Sequence, residues 1–336
     1  MHLTDHATVV SAQSQGRASP IRVAVLGAGG LGKAAAKIIG LKRELRLVGI
    51  CDSTGTAFDP DGLDCAAIAD GALDLTDAAD PIGGILELAD RVDGILIALP
   101  NLPNEFIPGV VERFAKASRG LVFVDVLKRT AAVQQMFELD AAVRRAESVV
   151  LTGCGATPGL LSTAAVLAAQ SFIQVERVDI WWGVGIANWE VYKATIREDI
   201  AHVPGYSVER AKAMTDQEVN AFLDKTNGLL ELHHMEHADD LLLQRAGVVD
   251  ELDQVEVGGV MDTRHPKKPV STTMTLTGIT HEGKRASHRF ILGDDTTMAC
   301  NVIGPALGYL KRGLWLRDRR IFGVFGSTEF LPMVVR

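Results

Sequence analysis

The residues best placed to do chemistry begin with Gly27-Ala28-Gly29-Gly30-Leu31-Gly32, in which Gly27, Gly29 and Gly32 satisfy the spacing G-x-G-x-x-G. The apolar run Ile21 to Leu26 precedes this turn, and Lys33-Ala34-Ala35-Ala36-Lys37-Ile38-Ile39, a strong helix former, follows it. Strand, tight turn and helix in that order leave free N–H groups at the helix start, where they can face a pyrophosphate. Gly27 permits the turn, Gly29 lets the backbone approach the phosphates, and Gly32 lets the helix pack on the strand. Asp52 stands 20 residues after Gly32, at the end of the next apolar run. From there a carboxylate accepts hydrogen bonds from a ribose and repels a 2′-phosphate. The constellation reads as a site for a nicotinamide dinucleotide, NAD ahead of NADP. Ser53 and Thr54, with Lys33 or Arg43, are the groups that would serve a 2′-phosphate if NADP is the ligand.

Leu99-Pro100-Asn101 and Val126-Leu127-Lys128 each end a further apolar run, and ligands of open α/β sheets gather at such ends. These segments are expected to flank the nicotinamide half of the cofactor. A turn proline and a solvated lysine are the plain alternatives. His233-His234-Met235-Glu236-His237 satisfies H-x-x-E-H, the spacing of a zinc peptidase helix. A helix that buries Leu232, Met235, Ala238 and Leu242 explains the same residues as a solvated histidine face, so no metal is expected.

Apolar runs at Leu45 to Ile50, Gly94 to Leu99, Gly120 to Val126 and Ser148 to Thr152 alternate with helical patterns at Phe106 to Lys116 and Thr130 to Ala146. That alternation implies parallel crossover units and a doubly wound Rossmann sheet. Gly153 to Gly159 punctuates the chain and marks the crossover to a second, α+β domain. There Val175 to Val184 reads as a strand, Ser207 to Lys225 and Leu229 to Gln244 as helices, and Asp253 to Met261, Ser271 to Ile279 and Ala286 to Leu292 as a mostly antiparallel sheet. The expected organisation is a flexible extension over residues 1–20, a dinucleotide-binding domain over 21–155, a substrate and dimerisation domain over 156–294, and a segment over 295–336 whose helix, Thr296 to Lys311, returns to the first domain.

Composition sets the outer bounds. The 336 residues are 47% hydrophobic and 23% charged, which suits a globular chain of two domains. A formal net charge of -8 argues against a broad nucleic-acid or anionic-membrane surface and favours a small-molecule partner. Cys51, Cys65, Cys154 and Cys300 show no C-x-x-C spacing, so neither a disulfide scaffold nor a zinc knuckle is encoded, and a cytoplasmic location is expected.

The chain resembles the saccharopine dehydrogenase-like NAD(P)-dependent oxidoreductases, and more distantly diaminopimelate dehydrogenase. The dinucleotide half carries the resemblance, together with Gly155-Ala156-Thr157-Pro158-Gly159-Leu160 and Gly304-Pro305-Ala306. The resemblance implies hydride transfer between nicotinamide and the amine or imine carbon of an amino-acid-like substrate, in a homodimer or higher homo-oligomer. It would give Asp125 and Lys128 the task of proton donor. It would give Arg264 and His265, in a basic turn with Lys267 and Lys268, the task of holding a carboxylate, with a solvated hairpin as the alternative. Thr157 and Trp182 join them as substrate-binding candidates, and Trp181 and Tyr192 as pocket walls. Two other functions compete. Cys154 stands where acylating aldehyde dehydrogenases place a nucleophile, and a non-catalytic NAD(H) sensor would use the same turn.

The role given to Asp52 is directly testable. Asp52→Ser should strengthen NADPH binding relative to NADH, read by fluorescence titration with each nucleotide. A parent chain that already prefers NADPH contradicts it.

Overall fold

The computed structural model describes residues 19–100, 103–186, 189–293 and 295–336. The first half lacks polar alternation because its sheet is covered on both faces. Strand β1 (Ile21–Leu26) sends Val23 and Val25 into a core shared with α1 (Gly30–Gly40), and Ala24 and Leu26 into a second core on the opposite face. The chain continues through β2 (Leu45–Cys51), β3 (Gly55–Phe58), α2 (Cys65–Ala69), β4 (Thr76–Asp77), α3 (Pro81–Leu86) and β5 (Gly94–Ile97). Then come α4 (Phe106–Ala117), β6 (Val122–Asp125), α5 (Thr130–Glu138), α6 (Asp140–Arg145) and β7 (Val149–Thr152). One helix expected over Thr130 to Ala146 is thus two.

After β7 the chain turns through α7 (Leu160–Ala169) into the long strand β8 (Phe172–Gly185), then α8 (Lys193–Ile200), α9 (Val208–Ala213) and α10 (Asp216–Lys225). The helix expected over Ser207 to Lys225 breaks at Met214, whose backbone is extended, and restarts from a capping box between Thr215 and Glu218. β9 (Leu229–Leu232), α11 (Asp239–Arg245), β10 (Val255–Asp262), β11 (Thr272–Thr280) and β12 (Arg285–Leu292) complete the second half. The chain ends on α12 (Met298–Arg317) and β13 (Gly323–Gly326).

The larger sheet has the order β13-β7-β6-β5-β1-β2-β3-β4, parallel from β13 to β2 and antiparallel through β3 and β4. Chain order reverses between β1 and β5, so the crevice beyond their carboxyl ends is where this architecture holds ligands. The smaller sheet has the order β12-β11-β8-β10-β9 and is mixed, since β8 and β10 run parallel. Its β8 and β11 bury Val178, Ile180, Met274 and Leu276 against Leu161 and Ala165 of α7.

The segment Leu229 to Gln244 corrects the sequence expectation of one helix. Leu230 and Leu232 are buried while Leu229 and Glu231 are exposed, which is the two-residue period of a strand. His234 has φ 49°, outside the right-handed helical region, and helix begins only at Asp239. The H-x-x-E-H spacing therefore does not lie on one helical face. No helix among the described residues is long and apolar enough to cross a membrane.

α12 returns to the larger sheet, and β13 adds to its edge beside β7. The fully buried Tyr309 of α12 pins this return. Its hydroxyl lies 2.8 Å from Thr163 Oγ1 of α7 and donates to the Ser327 carbonyl at 2.8 Å. Tyr309→Phe should cost about 1–2 kcal/mol by leaving these partners less satisfied. Urea denaturation measures the change, and an unaltered midpoint contradicts the role.

Candidate active site

The β1 to α1 turn is shaped by close backbone approaches. Gly27 has φ 107°, and a Cβ there would lie 2.5 Å from the Ala98 carbonyl oxygen just beyond β5. A Cβ on Gly32 would lie 1.9 Å from the Gly27 oxygen, so only glycine lets the helix sit this near the strand end. At Gly29 an added Cβ meets nothing within 4 Å, which leaves an open cradle in front of the turn. Gly29 is also the N-cap of α1, which has no side-chain cap and no acidic residue in its first turn. Uncapped N–H groups beside an open backbone surface suit a pyrophosphate. Ala28, Gly30 and Leu31 lie within the same turn, Gly30 beneath the ring of Tyr192.

Asp52 follows β2. Its Oδ1 accepts from the Thr54 amide and hydroxyl, each at 2.7 Å, and from the Gly55 amide at 3.2 Å. Burial pushes this carboxyl up, but the bonds from Thr54 and Gly55 outweigh it and hold it below the usual range. The group is an anion with Oδ2 turned away from those three bonds. Ser53 beside it is exposed. Leu99 and Pro100 follow β5 at the crevice, Leu99 half-buried and Pro100 exposed, while Asn101 lies outside the described residues.

Beyond β6 the chain presents two consecutive cations to buried carboxylates. Lys128 Nζ lies 3.1 Å from Asp199 Oδ1 and 4.0 Å from Glu198 Oε1, both on α8. Arg129 reaches Glu198 at 3.6 Å, Glu236 at 3.8 Å and the Asn104 side chain at 3.2 Å. Burial disfavours charge on Lys128, yet Asp199 and Glu198 prevail and raise its pKa, so the ammonium persists. Its side chain is 26% exposed, against 2% for Asp199, which leaves the lysine within a ligand's reach. Half-buried His202 belongs to the same electrostatic group: burial pushes its pKa down, opposed in part by Asp199. Sequence reasoning singled out Lys128 but not Asp199, Glu198 or His202, which the structure gathers around it.

Asp125 is placed differently. It is buried, and Oδ1 accepts from the Leu127 and Gly153 amides and the Thr152 hydroxyl, tying the exits of β6 and β7 together. Cys154 is also fully buried; burial first, and then the Asp125 charge, push its thiol well above the ordinary range. A thiol buried this completely, with its ionisation disfavoured, is poorly placed to act as the nucleophile of an acylating dehydrogenase.

The substrate candidates of the second half each have partners within the chain. Thr157 donates to Asp239 at 2.6 Å, and the buried Asp239 also meets Ser162 and His237. Trp182 lies in the core of the smaller sheet's half, and Trp181 stacks near His233. Arg264 pairs with Asp224 of α10, and His265 with Asp262 at 3.0 Å. His233, His234 and His237 turn to three separate carboxylates, Glu231, Glu256 and Asp239. Among the described residues no group of three or more such side chains could hold a metal ion.

No family model matches the chain. The (S)-8-amino-7-oxononanoate synthase BioU of Haloferax mediterranei is 41% identical over 349 aligned positions, spanning 93% of this chain and 99% of that protein. The chain belongs to the BioU family of (S)-8-amino-7-oxononanoate synthases. Among solved structures, it resembles the diaminopimelate dehydrogenase of C. glutamicum, at 21% identity and TM-score 0.56 over 93% of this chain and 94% of that one. It also resembles an engineered D-amino acid dehydrogenase bound to NADP+, at 19% and 0.55 over 93% and 94%, and the saccharopine dehydrogenase of Saccharomyces cerevisiae, at 10% and 0.59 over 92% and 94%. At these identities the likeness is one of fold.

Membership in the BioU family corrects the saccharopine dehydrogenase-like assignment. It removes with it the reading of hydride transfer at an amine or imine carbon of an amino-acid-like substrate. The physical reason lies in what the resemblance rested on: a glycine turn, a Pro-Gly crossover and a returning helix record how a Rossmann chain is wound, not which bond reacts. An enzyme family also displaces the non-catalytic sensor.

Asp125 gives this site a pH signature. Burial pushes its carboxyl up to about 6, although the bonds from Gly153, Leu127 and Thr152 pull it down. Between about pH 4 and pH 6 the folded chain keeps a proton that the unfolded chain releases. The associated stability is fully present below about pH 4 and is lost as pH rises through 6. Asp125→Asn cannot ionise, so the parent's stability should fall relative to the variant's by about 2 kcal/mol from pH 4 to pH 7. Parallel denaturation curves across that range contradict the assignment.

Proposed function

We propose that this chain is an (S)-8-amino-7-oxononanoate synthase whose small-molecule site lies at the carboxyl ends of β5 and β6, with a nicotinamide dinucleotide on the Gly27 to Gly32 turn. The observation that carries the reading is Lys128, a partly exposed cation at the end of β6 with two buried carboxylates behind it, in a chain whose relative is named for a keto acid. The name of that compound sets a ketone at C7, an amine at C8 and a carboxylate at C1. A lysine amine adds to ketones.

One condition governs this chemistry. The amine must be free to lose a proton, and Asp199 at 3.1 Å accepts one from Nζ. The Nζ lone pair then adds to the C7 carbonyl carbon, the carbonyl oxygen gains protons and departs as water, and an imine links Lys128 to that compound. The carboxylates also keep resting Lys128 charged, so the reactive amine forms only as its proton moves.

The residues of the turn fit a dinucleotide: the Gly29 cradle and the uncapped start of α1 would hold the pyrophosphate, and Asp52 Oδ2 would accept from the adenosine ribose, favouring NAD. Such a cofactor, when bound, supplies hydride chemistry.

Incubation with (S)-8-amino-7-oxononanoate and cyanoborohydride should attach the compound to Lys128, located by peptide mass spectrometry, with yield rising as pH increases. Lys128→Arg should abolish the attachment while leaving NADH binding near the parent value. Modification of other lysines with Lys128 untouched would overturn the reading.

A further inference from the structure

Tyr192 explains a glycine that the dinucleotide fingerprint does not require. Gly27, Gly29 and Gly32 account for the motif, but Gly30 is a fourth. A Cβ at Gly30 would lie 2.8 Å from Tyr192 Cε1 and 3.2 Å from the phenol oxygen. The ring thus rests on the backbone at the first residue of α1, where uncapped N–H groups face outward.

The ring comes from the second half of the chain and is firmly mounted. Trp189, just before it, donates through its indole to Asn220 at 3.0 Å. Just after it, Lys193 and Arg197 both pair with Asp216 at the start of α10. The phenol so mounted stands beside the uncapped start of α1, and a hydrogen bond to an anion is stronger than one between neutral groups.

We propose that Tyr192 is a pyrophosphate-binding residue, donating its hydroxyl to the diphosphate of the dinucleotide held on the Gly27 to Gly32 turn. This rests on the dinucleotide reading above. Tyr192 immediately precedes α8, whose far end carries the Glu198 and Asp199 that hold Lys128. One rigid helix therefore joins the diphosphate contact to the carboxylates behind the lysine.

Equilibrium binding of NADH and of ADP-ribose, which share the diphosphate, tests the assignment by fluorescence and calorimetry. Tyr192→Phe keeps the ring on Gly30 and deletes only the hydroxyl, so a packing role predicts unchanged affinity. The proposal instead expects both ligands to weaken alike, by about tenfold. Tyr192→Phe binding both within twofold of the parent, or a loss confined to NADH, would overturn it. Gly29→Val separates the two readings. If Gly29→Val abolishes binding while Tyr192→Phe binds normally, only the role of Tyr192 falls. If Gly29→Val binds both ligands as the parent does, the dinucleotide site itself is misplaced and the proposal falls with it.

Discussion

Buried carboxylates cost several kcal/mol each unless cations stand beside them, and α8 carries two in succession, Glu198 and Asp199. Lys128 and Arg129, consecutive after β6, answer them. The pairing crosses from one sheet's half of the chain to the other, so it fixes more than local geometry. It sets where α8 lies against the exit of β6, and with α8 the residue that precedes it, Tyr192, over the start of α1. Removing either cation would strand an anion in the interior, which is why the arrangement has little freedom to drift. The cations also follow the end of β6, on the side of the sheet where parallel strands release their ends.

Much of the first half was legible in the sequence because its constraints are local. Gly27 and Gly32 are glycines for reasons that lie within the turn itself or just beyond the neighbouring strand, and Asp52 is fixed by the length of one crossover. Gly30 was not legible in the same way. Its cause is a ring from a distant segment, which no spacing rule reveals. Lys128 could be located as a strand-end residue, but its partners could not, since α8 gives no sign from its own sequence that Glu198 and Asp199 will be buried.

The second half was less legible, for physical reasons that can be named. Arg264 and His265 read as a basic turn for a carboxylate or as a solvated hairpin, and the structure adds partners the turn alone does not show: Asp262, three residues before His265, meets its ring, and Asp224 meets the guanidinium. The histidine motif suggested a helix, whereas Leu-Leu-Glu-Leu just before it carries strand alternation. Functional assignment failed at a different level: the architecture is shared with dehydrogenases of low identity, and the near full-length relative shows a family that the fold alone does not reveal.

β12 ends the order of the smaller sheet among the described residues, and from Arg285 to Ile291 every residue is exposed. A bare edge carrying Phe290 and Ile291 is a template on which another chain could add a strand and begin a fibril. The strand defends itself with charge: Arg285 reaches across to Glu176, and Arg289 leans onto Thr275, so guanidinium groups punctuate the edge. Charge on the exposed edge is thus a safeguard against strand addition that owes nothing to the residues around Lys128.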